Sequence, residues 1–200
     1  MRLLFVSNLF PDAQEPSRGI ENADILHTLA DRWEIRVLAV RPVLLWSGRD
    51  WHPRAADVNL RPVFQSVPSL PWIGRRWNHG WYARGLRKRL GAIRRDWHFD
   101  AVLTAWLHPD ACALSLLRDE FQFRFVVIAP DSDTRHFLKA SAYRKIITSH
   151  LSRASGIVTS SSELPAVLSK SGFRKDRIHP AATLEMTAEA CHRLLLPTVH

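Results

Sequence analysis

The chain has 200 residues, 46% of them apolar and 10% aromatic, with a formal charge of +9. That composition excludes general disorder, and the length allows one well-packed domain or two very small ones. Cys112 and Cys191 stand far apart in no metal-ligand spacing, no run reaches the roughly 18 apolar residues of a membrane span, and the polar turn after Val6 does not read as a signal peptide. The expectation is a cytoplasmic protein in a reducing compartment.

The apolar run Leu3-Leu4-Phe5-Val6 is too short for a helix and ends at Ser7-Asn8. A loop broken by Pro11, Asp12 and Pro16 closes on Arg18-Gly19, after which Ala23, Leu26, Leu29, Ala30 and Trp33 recur at helical spacing. Glu34 to Val40 reads as the next strand, so the opening is strand, helix, strand, the start of a parallel sheet covered on both faces. The loop falls where open α/β sheets bind ligands, and a helix beginning near Gly19 presents backbone N–H groups to an anion. It is not a dinucleotide fingerprint: there is one glycine, and Val40-Arg41-Pro42 replaces the usual acidic residue.

From Pro42 to Ile73 the pattern is broken by prolines, and only Asn59 to Val67 reads as a strand, confined by Pro62 to a sheet edge. Asn78 to Trp97 reads as a helix with Trp77, Trp81, Leu86, Leu90, Ile93 and Trp97 near one face. Its three glycines weaken it by about 1 kcal/mol each. Phe99 to Thr104 is a strand, Pro109-Asp110 opens a helix to about Asp119, and Phe125 to Ala129 is a buried strand halted by Pro130-Asp131. A helix is expected from about Phe137 to Arg153, facing inward with Tyr143, Ile146, Ile147, His150, Leu151 and Ala154. A short strand (Gly156 to Thr159), a Ser160–Glu163 capping box before a helix ending at Ser171-Gly172, and a last short strand at Arg177 to His179 complete the order. The fold class is α/β: a three-layer Rossmann-like domain with a mostly parallel sheet.

Between Arg75 and Arg95 there are eight basic residues and no acidic one. Arg84, Arg87, Lys88, Arg94 and Arg95 lie mostly off the apolar face, while Trp72, Trp77 and Trp81 interleave with the arginines. That pattern fits a solvated face or peripheral contact with an anionic membrane. Nucleic acid is not expected, because no zinc spacing, helix-turn-helix or stacking motif accompanies the charge.

Two strand ends carry further candidates. Asp131-Ser132-Asp133 has the spelling of a metal-binding Asp-x-Asp, but it also suits a helix cap or contact with a hydroxylated acceptor; no resident metal or cofactor is assigned. Trp106 and His108 border the same end of the sheet, where Trp106 can stack on a ring or cover the sheet edge.

The order of segments resembles the N-terminal domain of family 4 retaining glycosyltransferases of the GT-B fold. The resemblance runs from Met1-Arg2-Leu3-Leu4-Phe5-Val6-Ser7-Asn8 through Phe99-Asp100-Ala101-Val102-Leu103. It is strongest in Leu151-Ser152-Arg153-Ala154-Ser155-Gly156-Ile157-Val158-Thr159-Ser160, and it reaches Ser171-Gly172-Phe173 and Ile178-His179-Pro180. Three places depart from the family pattern: Arg18-Gly19 stands for a Gly-Gly pair, Thr104-Ala105-Trp106 for His-x-His, and Ala129-Pro130-Asp131 for His-Gly-x-Asp. Pro130 offers no imidazole, so no catalytic residue is assigned.

The resemblance implies an acceptor-side domain over residues 1–180, with residues 181–200 an atypical helical tail and the donor half missing. A separate subunit and a truncated or frame-shifted coding sequence both fit that length. Arg18 and Gly19 are then expected near the donor phosphates, and Trp106, His108, Asp131 and Asp133 around the acceptor. The implied partners are a nucleotide-sugar donor held only with a second domain, a glycan or lipid-linked acceptor, and an anionic surface at the inner face of the membrane. The implied activity is transfer of a sugar, absent from this chain alone. The alternative is a non-catalytic membrane-associated module that partners a separate donor-domain chain.

Overall fold

In the computed structural model, which describes residues 1–43, 50–70 and 72–197 apart from the side chains of Trp72, Ile73, Ser132 and Asp133, the short apolar runs pair into one sheet. Its strands are β1 (Arg2–Ser7), β2 (Glu34–Val43), β3 (Pro62–Pro68), β4 (Ala101–Ala105), β5 (Arg124–Ala129), β6 (Gly156–Thr159) and β7 (Ile178–Pro180). They lie in the order β3-β2-β1-β4-β5-β6-β7 and all pairs are parallel. The order reverses between β1 and β4, which makes their carboxyl ends the switch point of the sheet. β3 holds the edge expected of a strand bounded by Pro62 and Pro68, where a missing N–H costs least.

Among the described residues seven α-helices flank the sheet: α1 (Ile20–Leu29), α2 (Asn78–Asp96), α3 (Cys112–Phe121), α4 (Asp131–Lys139), α5 (Ser141–Leu151), α6 (Leu164–Lys170) and α7 (Leu184–Leu195). Successive strand side chains alternate between two cores. Leu4, Val6, Val102 and Val127 meet Leu86 and Leu90 of α2, Leu114 of α3 and Ile147 of α5. Leu3, Phe5, Leu103 and Val126 meet Ala23 and Leu26 of α1 and Ala188, Cys191 and Leu195 of α7. The segment after residue 180 therefore supplies a helix that packs against α1 and closes the second core.

Three local expectations shift. The helix expected from Phe137 starts earlier and breaks at Ala140, whose backbone is extended (φ −80°, ψ 121°). Arg144 bridges the break by donating to the carbonyls of Leu138 and Lys139 at 2.9 and 3.2 Å, so the freed acceptors are not left bare. Pro109 and Asp110 do not open the helix directly: they lie inside a short π-helical turn, Leu107–Ala111, that precedes α3 proper. The Ser160–Glu163 capping box does not form: Ser161 Oγ accepts from the Glu163 N–H, and the Glu163 carboxylate reaches Arg135 instead.

The loop between β1 and α1 is held from below by Arg41, at the end of β2, and Asp12, both almost fully buried and paired at 2.7 Å. Arg41 also donates to the carbonyls of Phe10 (2.7 Å) and Asn8 (3.3 Å), and Asp12 Oδ1 accepts the N–H groups of Gln14 and Glu15 at 2.8 Å each. Burial pulls the Arg41 pKa down, opposed by its bond to Asp12. The loop ends at Gly19 in the left-handed region (φ 63°), where a Cβ would lie 2.5 Å from the Leu9 backbone. Both the conformation and the close approach demand glycine.

Arg41→Ala leaves a buried carboxylate without its partner. The expected loss is about 3–5 kcal/mol in unfolding free energy, read by urea denaturation; a loss below about 1 kcal/mol would contradict the pinning role.

Candidate functional site

A cleft of about 700 Å³ opens at the carboxyl ends of β1 and β4–β7 on the side covered by α1 and α7. Gly19 and Asn22 form its α1 wall, Pro130 and Asp131 stand at the start of α4, Ser160 follows β6, and Thr183 caps α7. Thr183 Oγ1 accepts from the Met186 N–H at 3.2 Å, which fixes where α7 begins. Helices therefore point their amino ends into one crevice, a setting that favours an anion. Asp131 brings a carboxylate to the same wall. Arg135 grips it at 2.9 and 3.1 Å and holds its pKa below the ordinary carboxylate range, so it is a hydrogen-bond acceptor and a poor acid at neutral pH.

Beneath the cleft floor the switch point is tied by a buried carboxylate that the sequence reading treated only as a helix opener. Asp110 Oδ2 lies 2.8 Å from Ser7 Oγ and 2.7 Å from Asn8 N, so the turn after β4 clamps the end of β1. Ser7 Oγ also lies 2.7 Å from the Ala105 carbonyl. One hydroxyl hydrogen faces two acceptors, a conflict that a proton on Asp110 removes: Ser7 then accepts from Asp110 and donates to Ala105. Burial pushes the Asp110 pKa up to about 7, against the hydrogen bonds from Asn8 and Ser7 that lower it.

The residues proposed around an acceptor are not gathered in one place. Asp131 lines the cleft, but Trp106 and His108 pack into the core on the other face of the sheet. Trp106 sits at φ 89°, a costly backbone for a bulky residue, with its ring 6.5 Å from Phe137 and its indole N–H buried without a partner among the described residues. His108 is buried against His79 (ring centroids 5.4 Å), Tyr143 (5.2 Å) and Phe137 (5.7 Å). His150 in turn lies 5.0 Å from His79, so three histidines distant in sequence meet on this face. Burial, then the neighbouring His79, hold the His108 pKa down to about 4. Burial is also the main cause of the lowered values of His79 and His150. Among the described residues no group of three metal-ligating side chains has the geometry to hold an ion. The side chain of Asp133 lies outside the described residues.

Gly19 lines the cleft, whereas Arg18 turns away to the Asn8 carbonyl (2.9 Å) and Glu15 (2.7 Å). On α2, Arg84, Lys88 and Arg95 are exposed, as is Arg87, which pairs with Glu120 at 2.8 Å. Arg94 is drawn inward: it donates to the Phe99 carbonyl at 3.1 Å and lies over the Phe99 ring. Trp77 and Trp81 are 49% and 44% exposed on the same helix end, with Arg76 stacked on Trp77 at 4.2 Å. The side chain of Trp72 lies outside the described residues. No described helix is long and apolar enough to cross a membrane.

No protein-family model and no curated protein matches this chain. Solved structures do. The lipopolysaccharide outer core galactosyltransferase WaaB matches with a TM-score of 0.57 at 11% identity over 89% of this chain and 44% of its own. Anabaena Alr3699/HepE in complex with UDP-glucose matches at 0.56 and 15% over 90% and 43%. Phytolacca americana UGT2 complexed with UDP-2fluoro-glucose and pterostilbene matches at 0.54 and 12% over 90% and 53%. At such identities the likeness defines the fold: a Rossmann-like half of a GT-B architecture. The chain spans about half the length of these structures.

Asp110 and His108 set opposite pH dependences. The folded Asp110 value lies above the ordinary carboxylate value near 4, so its contribution is complete below about pH 4 and is lost as pH rises through about 7. The folded His108 value lies under the ordinary imidazole value near 6.5, so its contribution is complete above about 6.5 and is lost as pH falls through about 4. Each tilts stability by at most about 1.4 kcal/mol per pH unit within the same window. Asp110→Asn is therefore expected to make stability climb with pH between about 4 and 7 relative to the parent, and His108→Gln to make it fall. Urea unfolding across that range reads both slopes, and an unchanged slope in either variant refutes the assignment.

Proposed function

We propose that these residues are the acceptor-side half of a retaining glycosyltransferase that moves a sugar from a nucleotide-sugar donor to a glycan or lipid-linked acceptor. The observation that carries this reading is the cleft at the switch point, open on one side, with helix amino ends and the Asp131 carboxylate on its wall. Support comes from the fold neighbours, among them HepE solved with UDP-glucose and UGT2 solved with a fluorinated UDP-glucose and pterostilbene. The family 4 assignment and the retaining course rest on the sequence resemblance. In this reading Gly19 and the start of α1 approach the donor diphosphate, and Asp131 accepts a hydrogen bond from an acceptor hydroxyl. His108 and Trp106 act from behind the sheet by shaping the β4 turn, and Asp133 stays a proposed acceptor contact. Stabilising the leaving diphosphate falls to groups on a second domain, as does most of the donor grip.

Residues 1–200 alone are accordingly expected to show no turnover of UDP-glucose or UDP-galactose in an assay of UDP release. Sustained release above the buffer rate would overturn the division of labour.

A second reading, a membrane-associated binding module that partners a separate donor-domain chain, is favoured by the exposed Trp77–Trp81–Arg84–Lys88 stripe. Cations near an anionic bilayer contribute about 1 kcal/mol each, and flanking tryptophans suit the interface. Replacing Arg84, Arg87 and Lys88 with Glu is expected to weaken sedimentation with phosphatidylglycerol vesicles by at least on the order of 100-fold. Undiminished binding would dismiss α2 as the contact.

A further inference from the structure

At the opposite end of the sheet from the cleft, where β5, β6 and β7 begin, a second cavity of about 740 Å³ is walled by Arg118, Arg124, Arg153, Arg177 and Arg193 together with His179. We propose that this cavity is a binding site for a compact polyanion carrying linked phosphates, separate from the sugar-transfer cleft. Its volume falls in the range of small-molecule sites. Among the described residues one carboxylate stands on its wall, Asp176, and it is already held by Arg174 at 2.6 and 3.0 Å. At the rim Asp119 pairs with Arg118 and Arg153. The charge left over is strongly positive.

A structural use accounts for part of this set. Arg177 donates to the carbonyls of Ala154 and Ser155 beyond the end of α5, and Arg124 donates to the Leu196 carbonyl at the end of α7. Such contacts complement the negative ends of helices. They do not account for Arg193 on α7, whose side chain makes no hydrogen bond or ion pair among the described residues. Nor do they account for His179, whose Nε2 is buried without a hydrogen-bond partner among the described residues. Burial, Arg193 and Arg177 together hold the His179 pKa below its ordinary value, with Asp176 opposing them. An anion placed there screens the guanidiniums and accepts their forked N–H groups. Several guanidiniums exceed what one phosphate can neutralise, which is the reason for linked phosphates.

The test is calorimetric titration of the whole chain with pyrophosphate, with the His179 ring followed by NMR. One site is expected, with roughly tenfold or greater weakening in Arg177→Glu/Arg193→Glu, the equivalent of about 1.4 kcal/mol or more. Lys139→Glu/Lys145→Glu, at exposed positions on α4 and α5, carries the same change of net charge and is expected to leave binding within about twofold, which separates a site from general attraction to a basic protein. The His179 pKa is expected to rise on saturation. Orthophosphate is expected to bind more weakly than pyrophosphate; comparing pyrophosphate with ADP separates inorganic from nucleotide sources of the same group, and preference for either is compatible with the site. Arg177→Gln/Arg193→Gln serves where charge reversal prevents folding. The proposal is overturned by equal weakening in the two Glu variants, by shifts confined to the Gly19 and Asp131 cleft, or by no binding at roughly millimolar pyrophosphate.

Discussion

The ion pair between Arg41 and Asp12 is the constraint on which the cleft depends. The twelve residues between β1 and α1 (8–19) have no ladder of their own, so their backbone polar groups need partners from elsewhere. Arg41 supplies them from the end of β2 while Asp12 folds the loop back on itself through Gln14 and Glu15. Burying two charges is costly, and the pair is tolerable only because nearly every donor and acceptor in it is matched. The return is positional: Gly19 is delivered to the cleft wall at a fixed height, with α1 starting immediately behind it.

The sheet then divides the chemistry into two faces. On the α1 and α7 face, short polar groups and helix amino ends border open space. On the α2, α3 and α5 face, the turn after β4 is packed in aromatic rings and in three histidines that burial keeps neutral. Asp110 joins the two by reaching from that turn to Ser7 and Asn8 at the end of β1. A carboxyl whose pKa burial raises to about 7 on one side of the turn and imidazoles whose values burial lowers on the other respond oppositely to pH. The geometry of the switch point therefore rests on groups whose protonation differs from that of the same residues in water.

Much of the architecture was legible in the chain itself. A run such as Leu3 to Val6 or Phe125 to Ala129 is apolar throughout and too short for a helix, so it belongs in a strand covered on both faces. Pro62 set its strand at an edge by the same local logic. Helix ends were less legible. The break at Ala140 depends on Arg144 turning back to Leu138 and Lys139, and Glu163 was taken from its expected cap by Arg135, 28 residues earlier in the chain. Both are competitions that a one-dimensional pattern does not contain.

The site divides along the same line. Gly19 and Asp131 were expected at the crevice from position alone and line its wall, because a strand's carboxyl end and the residue opening the next helix face the crevice of any parallel sheet. Trp106 and His108 were placed on that rim by the same rule, and tertiary packing turned them through to the other face. The Asp110–Ser7–Asn8 tie, the meeting of His79, His108 and His150, and the five arginines at the far end of the strands join residues up to about a hundred positions apart. Periodicity and local chemistry determined which segments are strands and helices, since those preferences act over a few residues. Which side chains meet, and in what protonation state, was decided only when strand order brought distant ends together and burial removed the water between them.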